Sequence, residues 1–505
     1  LACGVMTPIG GGFLDGGLLG SYYASTDMTG SPAFTRRDQR IRFPLGALRS
    51  IGGSTAPAMR NFPRDNFTVR WEGRIIARFN EIYTFSALAD EGVRLYVKPA
   101  GDVWGAPLID QWGATGLFTA ACAMTAGVPY DIRLDYLELT GTAVIVLQWS
   151  SPSTPLELID AVAPGGPLSF GLQDTGGGFA DAVRDAQQWN ALSGTYTADE
   201  NGWPKCDASI LTIGNLRGQP GRHLIQFKGQ AQIAFTGGLG ATATFYAANG
   251  TPYVGTFPKG LNYDASNNIT RVEVDIREAA VQTKPQFSFS STQRTPGSPN
   301  GSGITEVYVM RPWHAWSTNA HQPGDVVRRA ARDALEAYAV FRVQFMDAAT
   351  VWSNRTLPSF YKWTKQFVHN ARCWESIVMY ANESGRDVHV GFSPDMRDPY
   401  FTNLVNLLRY GSDGVNPYTS EQVNPVYPPL NPNIRIYLEM GNENGWGIWP
   451  SEAFASAFSH AKNNNTPDWQ IVNYDGAYSS AGAVTIGFIN RWVPVRMTKL
   501  SHLCR

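Results

Sequence analysis

A period of two in the placement of apolar residues is the feature that most limits what this chain becomes. It runs from Leu18 to Ile159 in short stretches. The clearest are Phe67-Thr-Val-Arg-Trp-Glu-Gly73, Ile82-Tyr-Thr-Phe-Ser86, Val93-Arg-Leu-Tyr-Val97, Tyr130-Asp-Ile-Arg-Leu-Asp-Tyr136 and Ala143-Val-Ile-Val-Leu-Gln-Trp149. Successive side chains of a strand point to opposite faces, so alternation marks strands with one face buried. Turn-forming residues separate the stretches, as they do between short strands. A sheet with one apolar face has to bury it against another layer, which predicts a β-sandwich over residues 18–160. Residues 1–17 are rich in glycine and read as a leader or linker.

The pattern persists and then changes. Ala163-Pro-Gly-Gly-Pro167 reads as a linker. Strand patterns over 168–304, among them His223-Leu-Ile-Gln-Phe227 and Thr270-Arg-Val-Glu-Val-Asp275, predict a second, jelly-roll-like β-rich domain. A Ser/Gly/Pro-rich stretch at 290–303 closes it. Beyond Thr305 apolar runs alternate with helical spacing. Strands are expected at 307–310, 341–345, 388–392 and 434–439, and helices at 326–337, 374–384, 400–409 and 452–462. That order predicts a parallel sheet or a β/α-barrel. A complete barrel of eight units takes about 250 residues, more than lie beyond Thr305. Residues 305–505 are therefore expected to form an incomplete TIM-barrel-like α/β part. The total of 505 residues suits about three domains. The chain opens on Leu1 and ends like an interrupted helix, so the natural protein is expected to be longer.

Composition narrows the function classes. Net charge is −1 and only 16% of residues are charged, which gives no electrostatic reason to bind nucleic acid or an anionic membrane. No apolar run reaches the roughly 18 residues of a membrane helix. The 15 Trp, 21 Tyr and 25 Phe suit domains that meet sugars, and equally suit β-rich cores. Five scattered cysteines include no Cys-x-x-Cys pair, and the seven histidines lack ligand spacing, so zinc and redox motifs are unsupported. No Gly-x-Ser-x-Gly or phosphate loop stands out.

The first domain resembles the sugar-binding-type domain named after anthrax protective antigen. The ordered marks are Gly17-Leu-Leu-Gly-Ser-Tyr-Tyr23, Phe67-Thr-Val-Arg-Trp-Glu-Gly73, Tyr83-Thr-Phe85, Asp90-Glu-Gly-Val-Arg-Leu-Tyr-Val97, Leu108-Ile-Asp-Gln-Trp112 and Leu147-Gln-Trp149. The resemblance implies a two-sheet sandwich that binds glycans. Some members, fungal adhesins, hold a calcium ion on two adjacent Asp residues. At that position stands Asp90-Glu91, where the extra methylene displaces the second carboxylate. Carried over, Asp90, Glu91 and Asp110 are the candidate glycan-binding residues at one end of the sandwich, with Asp90 and Glu91 as the candidate calcium ligands. Hard oxygen donors are what Ca²⁺ prefers. Read from the residues alone, Asp90 instead organises the turn before Gly92.

The last 200 residues carry a second resemblance. Ile434-Arg-Ile-Tyr-Leu-Glu-Met-Gly-Asn-Glu443 places Asn-Glu after the fourth expected strand, as in the large clan of barrel glycosidases. The resemblance implies Glu443 as general acid/base and Asn442 as a contact to the sugar 2-hydroxyl. Barrel enzymes gather their chemistry at the C-terminal ends of strands, where Trp313, Trp352, Trp446 and Trp449 would supply flat faces for sugar rings, with Trp316 beside them. Glycoside hydrolysis needs a second carboxyl group, expected after a seventh strand that is not visible. Asp347, Asp395 and Glu439 are the local carboxylates. Residues 408–418, Asp199-Glu-Asn-Gly-Trp-Pro204 and Val343-Gln-Phe-Met-Asp347 are similar to large bacterial secreted proteins labelled cellulose-binding, with Gln344 in place of an arginine. The expectation is a secreted or cell-surface bacterial protein that binds a glycan or polysaccharide and is related to retaining glycoside hydrolases, this stretch being inactive alone. The alternative is a non-catalytic surface or matrix protein that self-assembles. No cofactor beyond the calcium is expected.

Overall fold

The computed structural model describes residues 11–440 apart from 44–61, 142, 162–168, 173–177, 185, 187, 212–219, 237–242, 277–285, 336–337, 339, 348–350, 364–372 and 393–397. Asp395, Asn442, Glu443, Trp446 and Trp449 lie outside the described residues.

The period-two stretches become two antiparallel sheets packed face to face. One runs Phe34–Asp38, Leu18–Tyr23, Phe67–Ile76, Pro129–Glu138, Gly92–Pro99, Ile109–Trp112, with Gly12–Phe13 pairing on Phe67–Ile76. The other runs Thr154–Leu158, Ile145–Ser151, Glu81–Ala89, Gly116–Met124, with Arg42–Phe43 on Ile145–Ser151. Register follows the burial pattern. Leu134 faces Trp71 across one strand pair and Leu95 across the other, and all three are buried. From the second sheet Tyr83, Phe85 and Ala87 point the same way. Tyr83 packs 4.7 Å from Trp149. Aromatic rings dominate this core because each removes a large apolar area from water at about 25 cal/mol per Å².

A second pair of antiparallel sheets follows. One is ordered Trp189–Ala191, Ala208–Leu211, Gln286–Gln293, Gln230–Thr236, Thr256–Phe257. The other is ordered Pro252–Val254, Ala243–Tyr246, Ile269–Ile276, Gly221–Lys228, Thr305–Met310. Their inner faces meet in a core that includes Phe227, Phe245, Phe257, Phe287 and Phe289. Thr305–Met310 corrects the sequence reading. It pairs antiparallel with Gly221–Lys228, Leu224 opposite Met310, and belongs to this second unit and not to the α/β part.

The parallel sheet is ordered Ser169–Leu172, Val340–Asp347, Asp387–Phe392, Ile436–Met440. Its first strand thus comes from before the second β unit, which is inserted between the sheet's first and second strands. A helix at Arg329–Leu335 precedes the second strand, and helices at Trp374–Ser384 and Asp398–Tyr410 stand between the later strands. Four parallel strands are too few to close a barrel of eight. Among the described residues the part is an α/β sheet, and the TIM-like barrel is not carried by it. Every residue of Trp374–Ser384 is buried.

The α/β part and the first sandwich touch through polar side chains. Both terminal nitrogens of Arg40 donate to Asp387, each at 2.9 Å, while its Nε donates to Asp160 at 2.5 Å. Asn433 accepts from the Arg42 backbone at 2.7 Å and donates to the Arg40 carbonyl at 2.5 Å. Arg386 donates to the Gly16 carbonyl at 2.8 Å. No described helix is long and apolar enough to cross a membrane.

Candidate functional site

The turn at Asp90 joins Glu81–Ala89 of one sheet to Gly92–Pro99 of the other, so it lies at an end of the sandwich. Strand Pro129–Glu138 finishes at the same end. Tyr136 and Glu138 stand two residues apart and share a face with the core residues Ile132 and Leu134. The last inward position is therefore a carboxylate, and Glu138 is completely buried.

The Tyr136 hydroxyl ties the end together. It lies 2.7 Å from Asp90 Oδ1 and 2.7 Å from Glu138 Oε2, and it accepts from the Val144 backbone at 3.1 Å. A phenol has one proton to donate. With ionised partners it satisfies one of the two carboxylates, so full satisfaction of both contacts places a proton on Asp90 or Glu138. The charges agree with the geometry. Burial, reinforced by Asp90, Glu91 and Asp65, pushes the Glu138 carboxyl up to about 7. Burial also raises Asp90 above the ordinary aspartate value. Glu138 Oε1 is buried with no hydrogen-bond partner.

Glu91 does something different. Its carboxylate accepts from the backbone N–H of Leu139 and, at 3.0 Å, from that of Thr140. Asp65 accepts from the next N–H, Gly141, at 3.3 Å. Thr115 donates its hydroxyl to the Asp90 carbonyl. Three consecutive N–H groups of the loop after Glu138 are thereby taken by carboxylates of the chain itself.

The candidate residues are only partly brought together. Asp90 and Glu91 meet at this end. Asp110 lies on the edge strand Ile109–Trp112, opposite Arg94, and makes an ion pair with it at 2.8 Å. Arg94 in turn covers Trp112, 4.6 Å from the ring. Trp104 is flanked by the Lys98 and Arg133 cations, each 4.6 Å away. Trp313 and Trp352 are half-buried, and a guanidinium lies against each: Arg329 3.4 Å from Trp313, Arg355 4.5 Å from Trp352. Arg355 is itself locked in a fully buried ion pair with Glu375 at 2.8 Å. Trp316 is 58% exposed. In the parallel sheet Asp347 stands level with Phe392, and Phe392 with Met440, so Asp347 shares the C-terminal level of the strand that leads to Asn442-Glu443.

Calcium does not fit the donors at Asp90-Glu91. Glu91 turns away to accept from loop N–H groups, and Asp90 is held by Tyr136, so the two carboxylates do not converge on one point. Among the described residues no three His, Cys, Asp or Glu side chains are grouped to hold a metal. Sequence reasoning missed Tyr136 and Glu138. The signal was present: an inward-facing Glu two residues after an inward-facing Tyr, at a strand end.

Residues 15–163 match the family described as PA14 domain. The anti-sigma-I factor RsgI3 of Acetivibrio thermocellus is 32% identical over 179 residues, covering 34% of this chain and 25% of that protein. The chain therefore spans a quarter of the length of that relative. Among solved structures, an anti-sigma factor domain-containing protein from Clostridium clariflavum is 18% identical over 62% of this chain and 98% of its own, with a TM-score of 0.25. The PA14 sugar-binding domain from an RTX adhesin is 16% identical over 28% of this chain and 93% of its own, with a TM-score of 0.22. The first sandwich is a PA14-type domain.

Proposed function

We propose that this chain is a glycan-binding protein that acts outside the cell or at its surface, with the PA14-type sandwich as its recognition module. The observation that carries the reading is the PA14 match over residues 15–163, which takes in both sheets of the sandwich. Low net charge and abundant aromatic side chains agree with an uncharged carbohydrate ligand. The test is a glycan array and polysaccharide pull-down with the purified chain. Retention on at least one polysaccharide is expected, and its absence across plant, bacterial and host glycans rejects the reading.

A second reading concerns the rest of the chain. The parallel sheet ends in Ile436–Met440, and Asn442-Glu443 follows at once. That order supports descent of the α/β part from retaining glycosidases, with Glu443 as general acid/base. If a longer form hydrolyses polysaccharide, Glu443→Gln is expected to lower the rate by ~10²–10⁴-fold, the scale of general acid/base catalysis. An unchanged rate removes Glu443 from that role. The name of the anti-sigma relative supports a third use, in which glycan binding is reported to a signalling partner.

A further inference from the structure

We infer that the Asp90 end of the sandwich is a metal-independent closure, held by internal hydrogen bonds where a bound cation would otherwise be needed. The inference rests on the PA14-type reading above and concerns how that same end is built. A cation site needs carboxylate oxygens that converge on one point and keep lone pairs free for it. Here the carboxylates diverge onto separate partners. Glu91 reaches away from Asp90 to the loop, where the N–H groups of Leu139 and Thr140 use both its oxygens. Asp65 takes Gly141. Asp90 Oδ1 and Glu138 Oε2 share the hydroxyl of Tyr136.

The extra methylene of Glu91 is what makes this possible. An aspartate at the same backbone position has a reach shorter by one carbon–carbon bond, about 1.5 Å. Such a side chain falls short of N–H groups that Glu91 meets at hydrogen-bond distance. The longer side chain therefore exchanges a ligand position for a clamp on the loop. The clamp fixes the loop with the chain's own carboxylates, so ligand recognition at this end proceeds without added metal.

The experiment reads calcium and glycan separately. Isothermal calorimetry and thermal melts of the full chain are run with CaCl₂ and with EDTA, in the absence of any glycan. We expect no saturable heat and the same Tm in both buffers. Glu91→Gln, which keeps one acceptor oxygen and loses the charge, is expected to lower Tm by a few degrees equally in both. A saturable calcium heat, or a Tm that climbs with CaCl₂ as ligand linkage requires, overturns the inference even if the variant fails to fold. Repeating the glycan array in EDTA adds a second arm. A signal that survives supports the inference, and one lost in EDTA overturns it. No signal in either buffer counts against the glycan reading, and the calcium titration still decides the closure.

Discussion

Glu138 sets the chemistry of the sandwich end at the scale of a single residue. Its carboxyl is raised to about 7 from an ordinary 4.5, so the folded state holds its proton more tightly than the unfolded chain does. Stability from this group is therefore fully present below pH 4.5 and is lost as pH rises toward 7, because the unfolded state sheds its proton first. Glu138→Gln removes that dependence while keeping shape. At pH 8 the variant is expected to be more stable than the wild type by roughly 3 kcal/mol, the shift of about 2.5 units converted at 1.36 kcal/mol per unit. Below pH 4.5 the gap is expected to close. Urea titrations at pH 4 and pH 8 check it, and a gap of equal size at both rejects the shared-proton arrangement. How legible this was depends on the residue. Asp90 and Glu91 were visible as an acidic pair before Gly92, but the side-chain partner of Asp90, the Tyr136 hydroxyl, lies 46 positions away and was not. Glu91's contacts with the 139–141 loop span 48 and 49 positions of sequence, and no local pattern reveals a partner at that separation. Trp313 and Trp352 were visible as aromatic residues, but sequence spacing does not report which arginine will cover a ring.

At the scale of elements, alternation identified strands better than it identified their neighbours. The run at Phe67–Ile76 shows its inward and outward faces in the sequence, and the register with Pro129–Glu138 follows from matching apolar positions. Thr305–Met310 was recognised as a strand and assigned to the wrong sheet. A short apolar strand looks the same whether it pairs parallel or antiparallel. Ser169–Leu172 is four residues long and too short to carry a pattern. Turn chemistry is sharper. Gly385 ends Trp374–Ser384 in the left-handed region, at φ 67°, and its N–H bonds back to the Ala381 carbonyl at 2.8 Å. A Cβ at that position would stand 2.6 Å from the Arg37 carbonyl of the first sandwich. Gly385→Ala thus meets both backbone strain and a backbone clash. A loss of roughly 1–3 kcal/mol is expected from the strain alone, read as a lower urea midpoint. A variant as stable as the wild type would mean that helix and sandwich do not touch there.

At the scale of the whole molecule, the first sandwich behaves as a docked part and not as a tethered module. Arg40 and Asp387 are both buried, and together with Asn433 they bridge the starts of strands that are more than 340 positions apart in sequence. Removing one partner of a buried, hydrogen-bonded ion pair leaves the other charge without compensation, which costs about 3–5 kcal/mol. Asp387 retains one further donor, the Arg435 N–H at 2.8 Å, so the lower end of that range is expected for Arg40→Met. Arg40→Met keeps an unbranched apolar stem and removes the charged guanidinium. Asp387→Asn keeps the shape and removes the opposite charge. If the pair couples the two parts, the double variant loses less stability than the sum of the single ones, with a coupling of about 1–3 kcal/mol. Calorimetry adds a second readout. The wild type is expected to melt with sandwich and α/β part in one transition, and Arg40→Met to split it, with the sandwich melting separately. Additive single variants together with an unsplit transition would sink the coupling. A coupled result would mean that a ligand held at the sandwich also stabilises the α/β part, since both unfold together.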